Sequence, residues 1–453
     1  IKPATTNRLF SLVLIAMSLV FICCYNLPSA ALLILVGLLT HFMGLLIFNS
    51  TDAKQKKLLL IIALVILVGL LFAFKYTAFV VDSVLAIAGG ASLTLSIFLP
   101  VGISFYTFTS IGYLVDVFNG KYEASQNLAH TMLFTCFFPK LVSGPIVRGN
   151  DFFPQLKNFQ GITASNLSWG MQVFVFGLFK KVVLANRLNI FVNNVFFSPS
   201  IFTRGTVILG IISYSLQIYF DFSGYSDMAI GVSRMFGIDL KPNFNLPYMA
   251  KNPSDFWNRW HISLSGWLRD YVYIPLGGNR KGTLRTYVNL LLVMLISGIW
   301  HGAGYTYIVW GLGHGLISCF SRLLNSNQKI KAFLQQPVMN FLRILGTFCC
   351  VSILWVFFRA SNLTNALTVL KGAVVTNGQV SQPFVWSFVA IICLSIGILA
   401  ALIKSKKEAT SLDGFYPVMN LRTVPGLVFF FTFTGLTLIL GYFANSVFIY
   451  GNY

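Results

Sequence analysis

Acidic residues are scarce in this chain. Its 453 residues include 12 aspartates and glutamates against 32 lysines and arginines, a formal charge of +20. Charged residues of both signs make up 10% of it, against roughly 25% in soluble domains, which excludes an ordinary water-exposed globular surface. Cysteine is thinly spread: Cys23, Cys24, Cys136, Cys319, Cys349, Cys350 and Cys393 lie almost entirely inside apolar runs, without a C-x-x-C spacing. Neither a disulfide framework nor a zinc site is expected, and these thiols read as small hydrophobes. No repeat, coiled coil or low-complexity linker divides the sequence, so residues 1–453 read as one continuous domain.

What the chain has instead is apolar length. Hydrophobic residues make up 56% of it, and the mean hydropathy is +0.76. Leu12 to Cys23, Ala30 to Phe48, Leu58 to Phe74 and Leu290 to Trp300 are apolar on every side. Helices in hydrocarbon need that pattern, because lipid cannot satisfy backbone groups. The expectation is an all-α, polytopic integral membrane protein with roughly eleven transmembrane helices, plus re-entrant or interfacial ones. The first run, preceded by Lys2 and Arg8 and followed by no small-residue cleavage site, reads as a retained helix, with further sequence expected ahead of Ile1.

The basic surplus falls in loops: Lys54 to Lys57, Lys180-Lys181, Arg280-Lys281 and Lys404 to Lys407. Cytoplasmic loops carry such an excess, so no nucleic-acid partner is required. Near the membrane it attracts anionic lipid or an anionic substrate such as a coenzyme A phosphate.

Texture divides the chain in three. Residues 1–118 read as a helical scaffold with about five spans. From 119 to 320, glycine, proline, aromatic and polar residues keep interrupting the apolar pattern, predicting broken helices around a functional chamber, since irregular backbone survives in a membrane only where protein or a cavity surrounds it. Residues 321–453 return to plain spans near 341–358, 384–403 and 425–449, ending in the aromatic tail Phe448-Ile449-Tyr450-Gly451-Asn452-Tyr453.

The candidate chemistry lies in the middle third. His301 ends an apolar run inside Ser297-Gly298-Ile299-Trp300-His301-Gly302-Ala303-Gly304, where glycines let a ligand approach backbone closely. An imidazole there suits a general base. His314, in Gly313-His314-Gly315, reads as a packing or pore-lining group, and His41 and His130 lack comparable surroundings. His261 lies in Asp255-Phe256-Trp257-Asn258-Arg259-Trp260-His261-Ile262-Ser263-Leu264-Ser265-Gly266-Trp267-Leu268-Arg269-Asp270-Tyr271. If helical, that segment sets Asp255 against Arg259 and His261 against Ser265 at i,i+4 spacing. Asp221 and Asp227 need partners in a membrane. They are expected to fix arginines of the Arg259 to Arg280 region, or else to relay protons. Between Phe137 and Arg148, two prolines around Lys140 predict a re-entrant turn whose Lys140 and Arg148 face a phosphate.

These motifs together resemble the membrane-bound O-acyltransferase superfamily, and within it the bacterial alginate O-acetyltransferase branch. The likeness rests on Asn243-Phe244-Asn245-Leu246-Pro247-Tyr248, on Phe256 to Ser265, on Trp267 to Arg280, and on Gly298-Ile299-Trp300-His301-Gly302. Phe138-Pro139-Lys140-Leu141 to Ile146 and Asp221 to Asp227 fit it too. The resemblance implies a helical ring around a central tunnel in the bacterial inner membrane and an acyl donor, acetyl-CoA, taken from the cytosolic side with no tightly bound cofactor and no metal. It makes His301 the near-essential histidine and His261 the second one. Trp260, Ser265, Arg269, Asp270, Trp300, Lys140 and Asn258 are then substrate-binding or structural. Tyr450 resembles part of an aromatic terminal motif, a possible acyl relay to an extracytoplasmic SGNH-type partner acting on an envelope polysaccharide, although the chain ends in Tyr453 where that motif ends in Phe. Peptidoglycan O-acetylation and D-alanyl transfer are the alternatives within the family. A proton-coupled transporter is the rival outside it, which inverted repeats would favour and none is seen. An inert scaffold is the third reading.

Overall fold

The computed structural model describes residues 3–90, 95, 97–159, 161–334, 336–375, 377–381, 397, 416 and 418–443. Cys393, the expected span 384–403, Tyr450 and Tyr453 lie outside the described residues. Secondary structure among the described residues is helical, with one isolated bridge between Phe202 and Val380. Among the described residues six helices are long and apolar enough to cross a membrane, and four shorter ones are apolar as well. The all-α, polytopic expectation holds. Two compact units form, Ile1–Gly170 with Val232–Lys241, and Met171–Gly231 with Pro242–Asn452.

The first unit opens with five helices, as the hydropathy of its first 118 residues predicts: α1 (Pro3–Cys23), α2 (Leu27–Asn49), α3 (Ala53–Lys75), α4 (Thr77–Ile87) and α5 (Ile103–Phe118). Polar side chains mark their starts. The Asn26 side chain accepts from the Ser29 amide ahead of α2, and Asp52 accepts from the Lys54 and Gln55 amides ahead of α3, satisfying donors that no helix can pair internally. On α2 the inward face carries Ser29, Gly37, Thr40, His41 and Gly44, while Leu35, Phe42 and Leu46 point outward. That is the arrangement lipid selects, with small and polar residues used between helices. Thr40 donates to the Val36 carbonyl and its hydroxyl is bonded to that of Ser110, and His41 bonds Thr131 at 3.1 Å, so His41 is a satisfied packing histidine. Helices then shorten, to α6 (Leu128–Cys136), α7 (Phe138–Leu141) and α8 (Gly149–Lys157), as the prolines require.

α9 (Ala164–Phe179) continues through a π-helical turn, Lys180–Ala185, into α10 (Asn186–Phe197), and α11 (Arg204–Met235) follows. In the second unit Gly177 and Gly224 bring α9 and α11 together: a methyl on Gly177 would stand 2.5 Å from the Gly224 carbonyl oxygen. The π turn beside this contact aims two adjacent lysines at α11. Lys180 pairs with Asp227 at 2.6 Å and Lys181 with Asp221 at 2.5 Å. Tyr416 donates to the other Asp227 oxygen at 2.9 Å. The two aspartates therefore do not fix arginines of the Arg259 to Arg280 region. Arg259 pairs locally with Asp255 at 2.7 Å and Arg269 with Asp270 at 2.9 Å. Spacing alone does not reveal the π turn, which widens the helix by one residue and redirects the side chains it carries.

The rest of the second unit contains α12 (Pro253–Arg259), α13 (Ile262–Leu268), a second π turn (Arg269–Tyr273), α14 (Thr283–His301), α15 (Tyr305–Ser326), α16 (Gln328–Leu334), α17 (Met339–Arg359), α18 (Leu363–Val374) and α19 (Val424–Leu440). The end of α19 is clasped from the first π turn and α10. Tyr442 donates its amide to the Val182 carbonyl at 2.8 Å, Asn186 donates to the Tyr442 carbonyl at 2.7 Å, and Arg187 donates to the Leu440 carbonyl at 2.9 Å.

Candidate active site

α14 and α15 form a hairpin pressed together at glycines. A side chain on Gly298 would strike the Tyr307 carbonyl, and one on Gly311 the Met294 carbonyl, so the two backbones touch. His301 is the last residue of α14, directly before the glycine break, and is 1% exposed. Along α14 the buried stripe reads Thr286, Asn289, Val293, Ser297, His301, which is the helical spacing of one inward face.

His261 arrives from a different construction. α12 ends at Arg259, and the chain turns sharply at His261, whose φ of +43° and ψ of 54° lie in the left-handed region. For a residue with a Cβ this costs about 1–2 kcal/mol, so neighbours must hold it. The segment from Asn243 does so. Asn245 donates its amide to the Arg259 carbonyl at 2.9 Å, and the Ile262 amide donates to the Asn243 carbonyl at 3.0 Å. The Asn243 side chain accepts from both the amide (3.1 Å) and the hydroxyl (2.9 Å) of Ser263, replacing the cap that His261 does not supply.

The two histidines meet. Their ring centroids are 6.4 Å apart, with Trp300 beside both, at 5.9 Å from His261 and 4.9 Å from His301. Phe222 stands edge-on to His261 at 4.7 Å. Trp310 stands perpendicular to His301 at 4.9 Å, and Phe358 lies 5.3 Å from it. His261 is fully buried, and neither of its ring nitrogens has a hydrogen-bond partner among the described residues. It lies outside the spanning helices, and burial pushes its imidazole down to about 3. The ring is neutral at physiological pH, with one N–H to donate and one nitrogen to accept.

The remaining predicted residues divide. Trp260 is buried, stacked on Phe256 and 4.9 Å from Trp355. Ser265 donates to the Trp260 carbonyl at 3.2 Å, so it closes the cap of α13 and does not bond the His261 ring. Asn258 faces outward, and Arg269 and Asp270 pair with each other on the second π turn. Lys140 is buried in the first unit, and Tyr450 lies outside the described residues. His314 is fully buried, stacked on Phe256 and 4.9 Å from Trp310, and like His261 it has no hydrogen-bond partner for either ring nitrogen among the described residues. Among residues not singled out from sequence, Asn243, Phe222, Trp310 and Phe358 shape the pair. Asn243 and Phe222 carried a signal, inside the stretches Asn243 to Tyr248 and Asp221 to Asp227.

Asn243→Ala removes an acceptor of the capping kind, worth about 0.5–2 kcal/mol, at the point that holds a strained backbone. The thermal midpoint should fall, whereas Asn243→Asp, which keeps the acceptor, should retain most of it. Equal loss in the two variants would mean that the capping oxygen is not what matters.

Comparison with known proteins accords with this geometry. The family described as MBOAT, membrane-bound O-acyltransferase family, matches residues 124–361. A peptidoglycan O-acetyltransferase of Helicobacter pylori is 40% identical over 405 residues, covering 82% of this chain and 75% of that protein. A probable alginate O-acetylase of Pseudomonas aeruginosa is 41% identical over 364 residues, covering 79% and 68%. A teichoic acid D-alanyltransferase of Bacillus subtilis is 32% identical over 262 residues, covering 55% and 65%. The matched stretch contains both buried histidines and every element around them, and the chain is a multi-pass membrane acyltransferase that belongs to the membrane-bound O-acyltransferase family.

Proposed function

We propose that this enzyme takes acetyl groups from cytosolic acetyl-CoA at the bacterial inner membrane and exports them for O-acetylation of an alginate-like envelope polysaccharide, through an extracytoplasmic SGNH-type partner. The observation that carries the reading is the meeting of two buried imidazoles, contributed by segments 40 residues apart, inside an aromatic enclosure. Among the described residues, fully enclosed polar atoms without hydrogen-bond partners include both His261 nitrogens, Trp260 Nε1, Trp310 Nε1 and the Ser297 hydroxyl in this unit. A core built only for stability leaves few such groups. A polar, reacting ligand gives them something to bond.

In this reading His301 is the general base. It removes the proton from an acceptor hydroxyl as that oxygen attacks the thioester carbonyl. The neutral His261 donates its N–H to the carbonyl oxygen and stabilises the negative charge that develops there. The attack forms the ester C–O bond; collapse of the tetrahedral intermediate then restores the C=O and breaks the C–S bond, and the proton on His301 passes to the departing CoA sulfur. Trp300, Trp310 and Phe358 exclude water, which would otherwise hydrolyse the thioester. Tyr450 is the proposed acyl relay to the partner, and unchanged acetyl export after Tyr450→Phe would remove it from the scheme.

A second acceptor is supported by the Helicobacter pylori relative, which covers more of this chain than the alginate O-acetylase does and is named for peptidoglycan. The deciding experiment supplies radiolabelled acetyl-CoA to purified protein in vesicles, together with an SGNH-type partner and either alginate or peptidoglycan strands. Label on alginate supports the first acceptor, and label on peptidoglycan alone replaces it with the second. No thioester consumption with any partner or acceptor would overturn acetyl-CoA as donor.

A further inference from the structure

The short turn around α7 in the first unit holds a buried lysine that the scheme above leaves unused. α6 ends at Cys136, α7 spans Phe138–Leu141, and Lys140 sits in it with 3% of its surface exposed. The turn has no slack. Gly144 packs against the Lys140 Cα so closely that a side chain there would overlap it. Gly102, with φ of +75°, leaves room for 2.5 Å between an added Cβ and the Leu141 carbonyl oxygen. The Phe138 amide donates to the Ser18 hydroxyl at 3.1 Å, pinning the entry to α1.

Around the Lys140 ammonium the structure provides an aromatic face and a thiol. Phe134 lies 5.3 Å away, and Cys136 is the neighbouring titratable group. Both are neutral. In the second unit the half-buried Lys180 has Asp227 and Lys181 has Asp221, and in the first unit the buried Lys75 donates to the Ser104 hydroxyl at 3.2 Å. Within the first unit Asp116 is committed to Lys121 and Asp151 to Lys241, while Asp239 pairs with Arg234. No hydrogen bond or ion pair holds the Lys140 ammonium among the described residues. A buried ammonium without a counter-ion is expensive. A cation–π contact recovers only part of that. A rigid turn that keeps such a cation in place is a preformed half of an anion site.

We infer that Lys140 is the cationic anchor of an oxyanion site in the first unit, and that its ligand is a phosphate ester. Two sources of that chemistry reach a membrane acyltransferase: the phosphates of a CoA thioester, which rests on the proposed donor, and the headgroup of an anionic phospholipid, which does not. Lysine serves phosphate as a point charge, so one contact is enough to recognise it.

The test uses the full chain in nanodiscs, with Lys140→Met and Lys140→Arg beside the wild type and with thermal melts to show that each is folded. Turnover of acetyl-CoA is compared with turnover of a phosphate-free thioester, S-acetyl-N-acetylcysteamine. Binding of radiolabelled CoA and of phosphatidylglycerol is measured directly. If CoA is the ligand, Lys140→Met lowers the ratio of acetyl-CoA to phosphate-free turnover roughly tenfold, the worth of one good contact, and weakens CoA binding equally, while Lys140→Arg recovers most of it. If the headgroup is the ligand, Lys140→Met instead loses phosphatidylglycerol binding at unchanged CoA affinity. Unchanged binding of both in a folded Lys140→Met protein overturns the site, as does an equal loss with both thioesters. Because binding is read without turnover, a wrong acetyl donor and a wrong anion site give different results. Should Lys140→Met not fold, Lys140→Gln takes its place in every arm.

Discussion

His301→Gln lowers the rate of acetyl transfer roughly 10²- to 10⁴-fold, the usual contribution of a positioned general base. Glutamine is the informative replacement because it nearly fills the imidazole's space and keeps a donor and an acceptor, but cannot take a proton near neutral pH. The ring it replaces is 1% exposed and wedged among Trp300, Trp310 and Phe358. His301→Ala opens a cavity there, and buried truncations cost about 2–5 kcal/mol, so its loss of activity mixes chemistry with stability. Single-turnover transfer from radiolabelled acetyl-CoA, measured beside a thermal melt, separates the two. A folded His301→Gln protein working at the wild-type rate removes the general base from the mechanism.

Asp227→Asn produces the largest stability loss expected here. It leaves the Lys180 ammonium, 13% exposed, facing a neutral amide where a carboxylate stood at 2.6 Å. Breaking one side of a buried pair costs about 3–5 kcal/mol, and the Tyr416 hydroxyl, which donates to the same carboxylate, loses its charged acceptor as well. Replacing both members, with Lys180→Met and Asp227→Leu, should restore most of the midpoint, since a buried ion pair and an apolar pair of similar volume are close in energy. Denaturation in detergent measures this, and acetyl transfer by the double variant decides what the pair is for. Retained transfer makes it a structural tie between α9 and α11. Lost transfer in a folded double variant would revive the proton-relay reading and with it the transporter.

Much of the architecture was legible because membrane helices announce themselves. Apolar runs near Ala30 to Phe48 and Leu58 to Phe74 became α2 and α3 with polar caps at their starts, and the interrupted texture after residue 119 became short helices and turns in places, although the same region also holds the 32-residue α11. His301 stood out for the same local reason, a lone imidazole between an apolar run and a glycine break. Neither the first π turn nor the left-handed corner at His261 was legible. A π turn depends on which carbonyls find partners, and a left-handed residue that is neither glycine nor asparagine has no composition signal. Its cause lies in the hydrogen bonds from Asn243 and Asn245.

The order of residues by itself determined that this chain lives in lipid, that short helices and turns interrupt its middle third, and which histidines deserved suspicion, because hydropathy, proline, glycine and charge act over a few neighbours. Only the tertiary structure decided that His261 and His301 face one another 6.4 Å apart, that Asp221 and Asp227 answer lysines instead of arginines, and that Lys140 is buried without a carboxylate. Each of those facts is a meeting between segments far apart in the chain. Packing decides such meetings, through backbones that touch at glycines and side chains redirected by a single π turn.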